Sequence, residues 1–149
     1  MPQNTSQDTS LERSYLIFFH FLMMSKHRVI ELGKEYDLTA MQAMTLFLLE
    51  EHRAMHELKT IFNCDASNIT GLVDGLEAKG LATRYEDPND RRIKLIRLSK
   101  KGDKVRASLL SRAVRESQLL ANLDEDEQRQ LINLLAKATD GHDKMTPER

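Results

Sequence analysis

The stretch CDASNITGLVDGLEAKGLATRYEDPNDRRIKLIRLSKKG, residues 64–102, changes its hydrophobic period halfway along, and that change decides the fold. Asp65 can cap a helix from about Ala66 to Lys79, and Gly80 stands where glycine is favoured just past a helix end. The helical pattern then breaks. Residues 81–85 read as a strand, Asp87-Pro88-Asn89-Asp90 as a turn, and residues 92–98 as a second β-rich run. A hairpin therefore follows directly on a helix, and Ser99 can cap the helix that comes next.

Upstream, Met55, Leu58, Ile61 and Phe62 mark a short helix, joined to the following one by Asn63-Cys64-Asp65. Two helices linked by so short a turn form a helix-turn-helix arrangement, although these residues alone also suit an ordinary helical hairpin. Thr39 and Gln42 have capping-box spacing and open a helix through Met44, Leu46, Phe47, Leu48 and Leu49. Residues 11–36 hold no Pro and only Gly33, and read as one long helix. In its first half Leu16, Ile17, Phe18, Phe19, Phe21, Leu22, Met23 and Met24 surround the axis, a pattern that predicts burial on more than one side.

Downstream, residues 100–123 read as a long helix with a core-facing stripe of Val105, Leu109, Leu110, Ala113 and Leu120. Asp124 and Glu127 open a last helix through Leu131, Ile132, Leu134 and Leu135 to Gly141. The expected organisation is a mobile lead over residues 1–10, a winged helix-turn-helix over 37–99, a connecting helix over 100–123 and a polar tail over 142–149. Residues 11–36 and 124–141 carry more apolar surface than a small winged domain can cover, and are read as dimerisation helices. The fold class is mainly α with a small β-hairpin wing.

A chain of 149 residues, 40% hydrophobic and 30% charged, has the composition of one globular unit. Its single cysteine, Cys64, excludes an internal disulfide and a CxxC zinc site, which points to a reducing cytoplasm. The first residues lack the pattern of a signal peptide, and the apolar run from Tyr15 to Met24 is too short to span a bilayer. His52 and His56 are four apart but straddle an expected helix break, so no metal or cofactor is expected. No nucleophile elbow, P-loop, dinucleotide-binding or zincin motif is present, which argues against an enzyme.

The net charge of −1 conceals a strong local asymmetry. From Thr83 to Arg106 there are nine bases against four acids, an excess of five positive charges that leaves the rest of the chain at −6. A basic hairpin beside a helix-turn-helix has the electrostatic form needed to meet phosphates. The alternative is a winged-helix module for protein–protein contact, against which the basic wing argues.

Several linked features of residues 64–102 resemble the multiple antibiotic resistance regulator (MarR) family: Ser67-Asn68-Ile69-Thr70, Lys79-Gly80-Leu81, Asp90-Arg91-Arg92 and Leu98-Ser99-Lys100-Lys101-Gly102. The order of the flanking helices is similar too. The resemblance implies a homodimeric regulator on double-stranded DNA, with Ser67, Asn68, Thr70 and Gly71 at the front of a recognition helix in the major groove. It implies that Arg91 reaches the minor groove from the wing tip, its guanidinium held by Asp90, while Arg84, Arg92 and Lys94 are expected at phosphates. Gly75 departs from the family, in which many members carry Arg there. The resemblance also implies a small aromatic effector between the dimerisation helices and the winged domain. Phe19, His20, Met23 and His27, with Met41, Met44 and Phe47, are the candidate lining, because Met and aromatic surface adapts to varied ligands and a histidine inside an apolar helix needs a partner.

Overall fold

The computed structural model describes residues 5–118 and 120–139. Helix α1 (Thr5–Lys34) is followed by α2 (Ala40–Leu48), strand β1 (His52–Ala54), α3 (Met55–Phe62) and α4 (Ala66–Ala78). Strands β2 (Ala82–Glu86) and β3 (Lys94–Leu98) lead to α5 (Lys100–Ser117) and α6 (Glu125–Thr139). The strands form one antiparallel sheet in the order β1-β3-β2, with Arg53 opposite Ile96 and Arg84 opposite Ile96 on the other side. β1 has no counterpart in the sequence pattern. Three residues are too few to show a period of two, and the strand exists only because β3 offers it a partner.

The core lies where α2, α3, α4 and the sheet converge. Leu46, Leu49, Leu58, Ile69, Val73, Leu76, Ile96 and Leu109 are fully buried. The Thr39–Gln42 capping box forms as its spacing predicts: Gln42 N–H donates to Thr39 Oγ1 at 3.2 Å, and Thr39 N–H donates to Gln42 Oε1 at 3.1 Å. Gly33 is needed for a close approach, because a Cβ there would lie 2.6 Å from the Cβ of Ala43 on α2.

Two boundaries differ from expectation. α1 begins at Thr5, so the expected lead is helical from there: nothing between Thr5 and Gly33 breaks a helix, and polarity alone does not. α5 ends at Ser117 rather than 123, where Gln118 turns left-handed at φ 51°. α6 starts as predicted, with Asp124 Oδ1 accepting from Glu127 N–H at 2.9 Å and Glu127 Oε2 accepting from Asp124 N–H at 3.0 Å. Residues 1–4, the expected helix end at Gly141 and the tail at 142–149 lie outside the described residues.

The expected burial of the first half of α1 is not met within one chain. Leu16 and Ile17 are 64% and 62% exposed, and Phe19, Leu22, Met23 and Met24 are exposed as well. α1 enters the core only from Val29 and Leu32 onward, and α6 has no buried residue among those described. Among the described residues no helix is long and apolar enough to cross a membrane.

Candidate nucleic-acid interface

α4 is divided cleanly by its helical period. Ile69, Leu72, Val73 and Leu76 point into the core, which leaves Ser67, Asn68, Thr70 and Gly71 together on the exposed face. The Thr70 hydroxyl donates to Ala66 O at 3.0 Å. Asp65 has the extended backbone of a capping residue, but its side chain makes no capping bond. The exposed face carries small polar groups on a rigid, core-anchored helix. An open cleft lined by Lys59, Thr60, Asn63, Cys64, Asp65 and Asn68 runs beside the turn, and nothing in the spacing of these residues announced it.

The junction between α4, β2 and α5 explains why two of the family-like motifs occur together. Gly80 ends α4 at φ 67°, a left-handed conformation suited to glycine. Ser99 closes the junction from the other side. Its N–H donates to Leu81 O at 2.9 Å, its hydroxyl donates to Gly80 O at 2.6 Å, and the same oxygen accepts from Gly102 N–H at 3.0 Å. Lys101 adds a bond from Nζ to Lys79 O at 2.7 Å. Gly102 sits so close to this clasp that a Cβ would fall 1.9 Å from Leu81 O. The hairpin and α4 are thus fastened together at this junction.

At the wing tip Asn89 N–H donates to Asp87 Oδ1 at 2.7 Å, and Asp87 N–H donates to Ile93 O at 3.0 Å. Asp90 is expected to hold Arg91. It holds Arg92 instead: Nε and Nη2 of Arg92 donate to its two oxygens at 2.9 and 2.8 Å, and Arg92 N–H donates to Oδ1 at 3.0 Å. The hydrogen bonds to Arg92 hold the Asp90 carboxyl below its ordinary value, and Asp90 in turn pushes Arg92 up. An Asx turn brings residue 92, not 91, back over the carboxylate. Arg91 is exposed and has no ion pair among the described residues.

The other expected phosphate ligands are already paired. Lys94 Nζ lies 2.7 Å from Glu86 Oε1 across the hairpin, and Arg84 is bound by Asp74 and Glu77 of α4. Arg97 stacks over Tyr85 with its guanidinium carbon 5.0 Å from the ring centre. His52 and His56 fall on β1 and α3 respectively.

Of the candidate effector lining, Met41, Met44 and Phe47 pack half-buried against the core, whereas Phe19, His20, Met23 and His27 are exposed. The desolvation argument for His20 and His27 therefore lapses within one chain. α1 and the turn after it are braced instead against α5: Arg112 reaches Glu35 at 2.6 Å, Arg28 lies 3.8 Å from Glu116, and Tyr36 donates to Ser108 at 2.9 Å.

Comparison with known proteins agrees with this geometry. The MarR family model matches residues 38–94, the segment from the start of α2 to the start of β3. The HTH-type transcriptional repressor NicR of Pseudomonas putida is 30% identical over 107 residues, covering 70% of this chain and 68% of NicR. The chain belongs to the MarR family. A second relative, the HTH-type transcriptional regulator YdgJ of Bacillus subtilis, is 30% identical over 98 residues, 65% of this chain. The match spans 60% of the length of YdgJ. Among solved structures, a MepR mutant from S. aureus has a TM-score of 0.65 at 26% identity, covering 86% of this chain and 96% of its own. Another S. aureus MepR mutant, bound to an oligodeoxyribonucleotide, has a TM-score of 0.54 at 26% identity, covering 87% and 96%. The MarR winged-helix architecture is therefore that of this chain, with six helices and a three-stranded sheet among the described residues.

Proposed function

We propose that this chain is a sequence-specific, duplex-DNA-binding regulator of transcription that works in the cytoplasm as a homodimeric repressor on an inverted-repeat operator. The observation that carries the reading is the exposed row Ser67, Asn68, Thr70 and Gly71 on α4, set beside a wing whose tip residue Arg91 has no ion pair among the described residues. The row meets base edges in the major groove, and Arg91 enters the minor groove, where narrow A·T tracts attract a guanidinium. Lys94 and Arg92 add phosphate contacts by exchanging their carboxylate partners for the backbone. The repressor role of NicR and the oligodeoxyribonucleotide bound by MepR support this reading.

The apolar first half of α1 and the exposed α6 support the homodimer. A two-fold pairing of these helices would bury Leu16, Ile17, Leu22, Ile132 and Leu134, all of them exposed in one chain. It would also bring Phe19, His20, Met23 and His27 close to covered surface, beside Met41, Met44 and Phe47. A small aromatic acid bound there lowers DNA affinity by favouring a dimer whose recognition helices are wrongly spaced.

The test is a fluorescence-anisotropy titration of the purified protein into duplexes from its own upstream region and into scrambled controls, over a series of salt concentrations. A dimer that neutralises about 6 to 10 phosphates loses orders of magnitude in affinity between low and moderate salt. Arg91→Ala is expected to weaken binding severely on every sequence, and Asn68→Ala to change the preference among sequences. Equal affinity for operator and scrambled duplex, or no loss in Arg91→Ala, would refute the assignment and favour a protein–protein module.

A further inference from the structure

Arg84 is the basic residue of β2, and by charge alone it belongs with the phosphate ligands. Its geometry says otherwise. The backbone N–H of Arg84 donates to Glu77 Oε1 at 2.8 Å, its Nε donates to Glu77 Oε2 at 2.9 Å, and its Nη2 is bound to Asp74 Oδ1. Nε and Nη2 of the guanidinium are both engaged by carboxylates of the same helix, one turn apart. The hydrogen bond that Arg84 donates to Asp74, followed by the charge of Glu77, holds Arg84 above its ordinary value.

The helix that receives these bonds carries no Lys or Arg between Ala66 and Ala78, while Asp74 and Glu77 give it two negative charges. Asp74 is exposed, one turn beyond the DNA-facing Thr70 and Gly71. Uncompensated, a helix of this charge would be repelled by the polyanion it is meant to enter. Lys79, the next cation along the chain, is turned away to Asp37 at 2.7 Å. Among the described residues Arg84 is the only base in ion-pair contact with Asp74 or Glu77.

We propose that Arg84 is a positioning residue and counter-ion, which screens Asp74 and Glu77 and locks the base of the wing to the recognition helix, and is not a phosphate ligand. This inference rests on the DNA-binding reading above. It assigns the net acidity of α4 a partner within the fold, and makes wing and helix one rigid body that docks on two grooves together. Arg rather than Lys is needed because a planar fork satisfies two carboxylates at once, which an ammonium on a flexible stem does not.

The test uses the duplex that the wild-type protein enriches most strongly from a randomised library. If the wild type enriches none, the DNA-binding reading itself fails, and the comparison below is not reached. If it does, affinity and its salt dependence are measured for Arg84→Gln, Arg84→Lys and the triple variant Arg84→Gln/Asp74→Asn/Glu77→Gln, with thermal melts to confirm folding. Arg84→Gln is expected to lose at least tenfold in affinity, and Arg84→Lys to recover only part of it. The triple variant is expected to return to within about threefold of wild type with an unchanged salt slope, because no phosphate contact has been removed. A triple variant that stays as weak as Arg84→Gln, or a salt slope reduced by about two per dimer, would overturn the proposal, the latter in favour of one phosphate contact per subunit. An Arg84→Gln variant that binds like wild type overturns it as well.

Discussion

Gly102→Ala isolates the clasp between recognition helix, wing and α5. Gly102 lies in the first turn of α5, so helix propensity alone predicts that alanine stabilises by roughly 1 kcal/mol. Sterics oppose this. The new Cβ would lie 1.9 Å from Leu81 O, 2.9 Å from Leu81 C and 3.3 Å from Leu98 Cβ, and Leu81 is itself buried in the core. Relieving the clash requires the start of α5 to withdraw by about 1 Å, which takes the 2.9 Å bond from Ser99 N–H to Leu81 O out of hydrogen-bond range. One lost backbone bond is worth about 1 kcal/mol, a disturbed cap at Ser99 about 1 more, and overpacking typically 1–3 kcal/mol. Against the gain in propensity, the net is a loss of about 2–4 kcal/mol. For a protein of this size that lowers the melting midpoint by roughly 5–15 °C. The assay is thermal unfolding followed by circular dichroism at one fixed protein concentration, since the proposed dimer would make the midpoint concentration-dependent. A Gly102→Ala protein that melts at or above the wild-type midpoint would show that the clasp yields without penalty, and the argument would be wrong.

The other glycines of this region should behave differently. Gly71 has open space where a Cβ would stand, so Gly71→Ala is expected to raise the melting midpoint, by up to about 1 kcal/mol of stability, in the same assay. Gly75→Ala places a Cβ 2.3 Å from Gln42 Nε2, the mobile end of a side chain; the gain in propensity and the disturbed capping box nearly cancel, leaving a change within about 1 kcal/mol by denaturant titration. Leu16→Glu/Ile17→Glu alters two residues that are exposed in the single chain, so the fold should persist by circular dichroism while sedimentation shows monomer at micromolar concentration; an intact dimer would exclude this face from the interface. Hydrogen bonds from Arg112 hold Glu35 below its ordinary 4.5, those from Lys34 lower Glu31, and those from Lys79 and Arg92 hold Asp37 and Asp90 below 3.8. Folded values below unfolded ones mean that this contribution is present at neutral pH and is lost as pH falls from those ordinary values through the folded ones. Urea midpoints should therefore drop below about pH 4.5, and less steeply in Glu35→Gln.

The elements that rest on near-neighbour chemistry were legible in the residues themselves. The capping pairs Thr39–Gln42 and Asp124–Glu127 and the divided face of α4 depend on side chains three or four positions apart, the left-handed Gly80 depends on the missing Cβ of a single residue, and each is present in the fold. So was the basic bias of residues 83–106, because charge is additive along a chain. The pairing of those charges was not legible. Asp90 takes Arg92 rather than its neighbour Arg91 because of the turn the tip adopts, and Arg84 meets Asp74 and Glu77 because β2 folds back along α4. A strand as short as β1 leaves no periodic trace and depends on β3 for its hydrogen bonds. Gly75 stands where many family members carry Arg, yet its place on α4 turns it toward Gln42 of α2, whose side-chain amide a Cβ would have to displace. Composition and spacing determined which residues form helices, caps and a charged wing, since those forces act over one or two turns. Which base remains free for a partner, and which is already neutralised, was decided by tertiary structure alone, because an ion pair depends on separation in space and not along the chain.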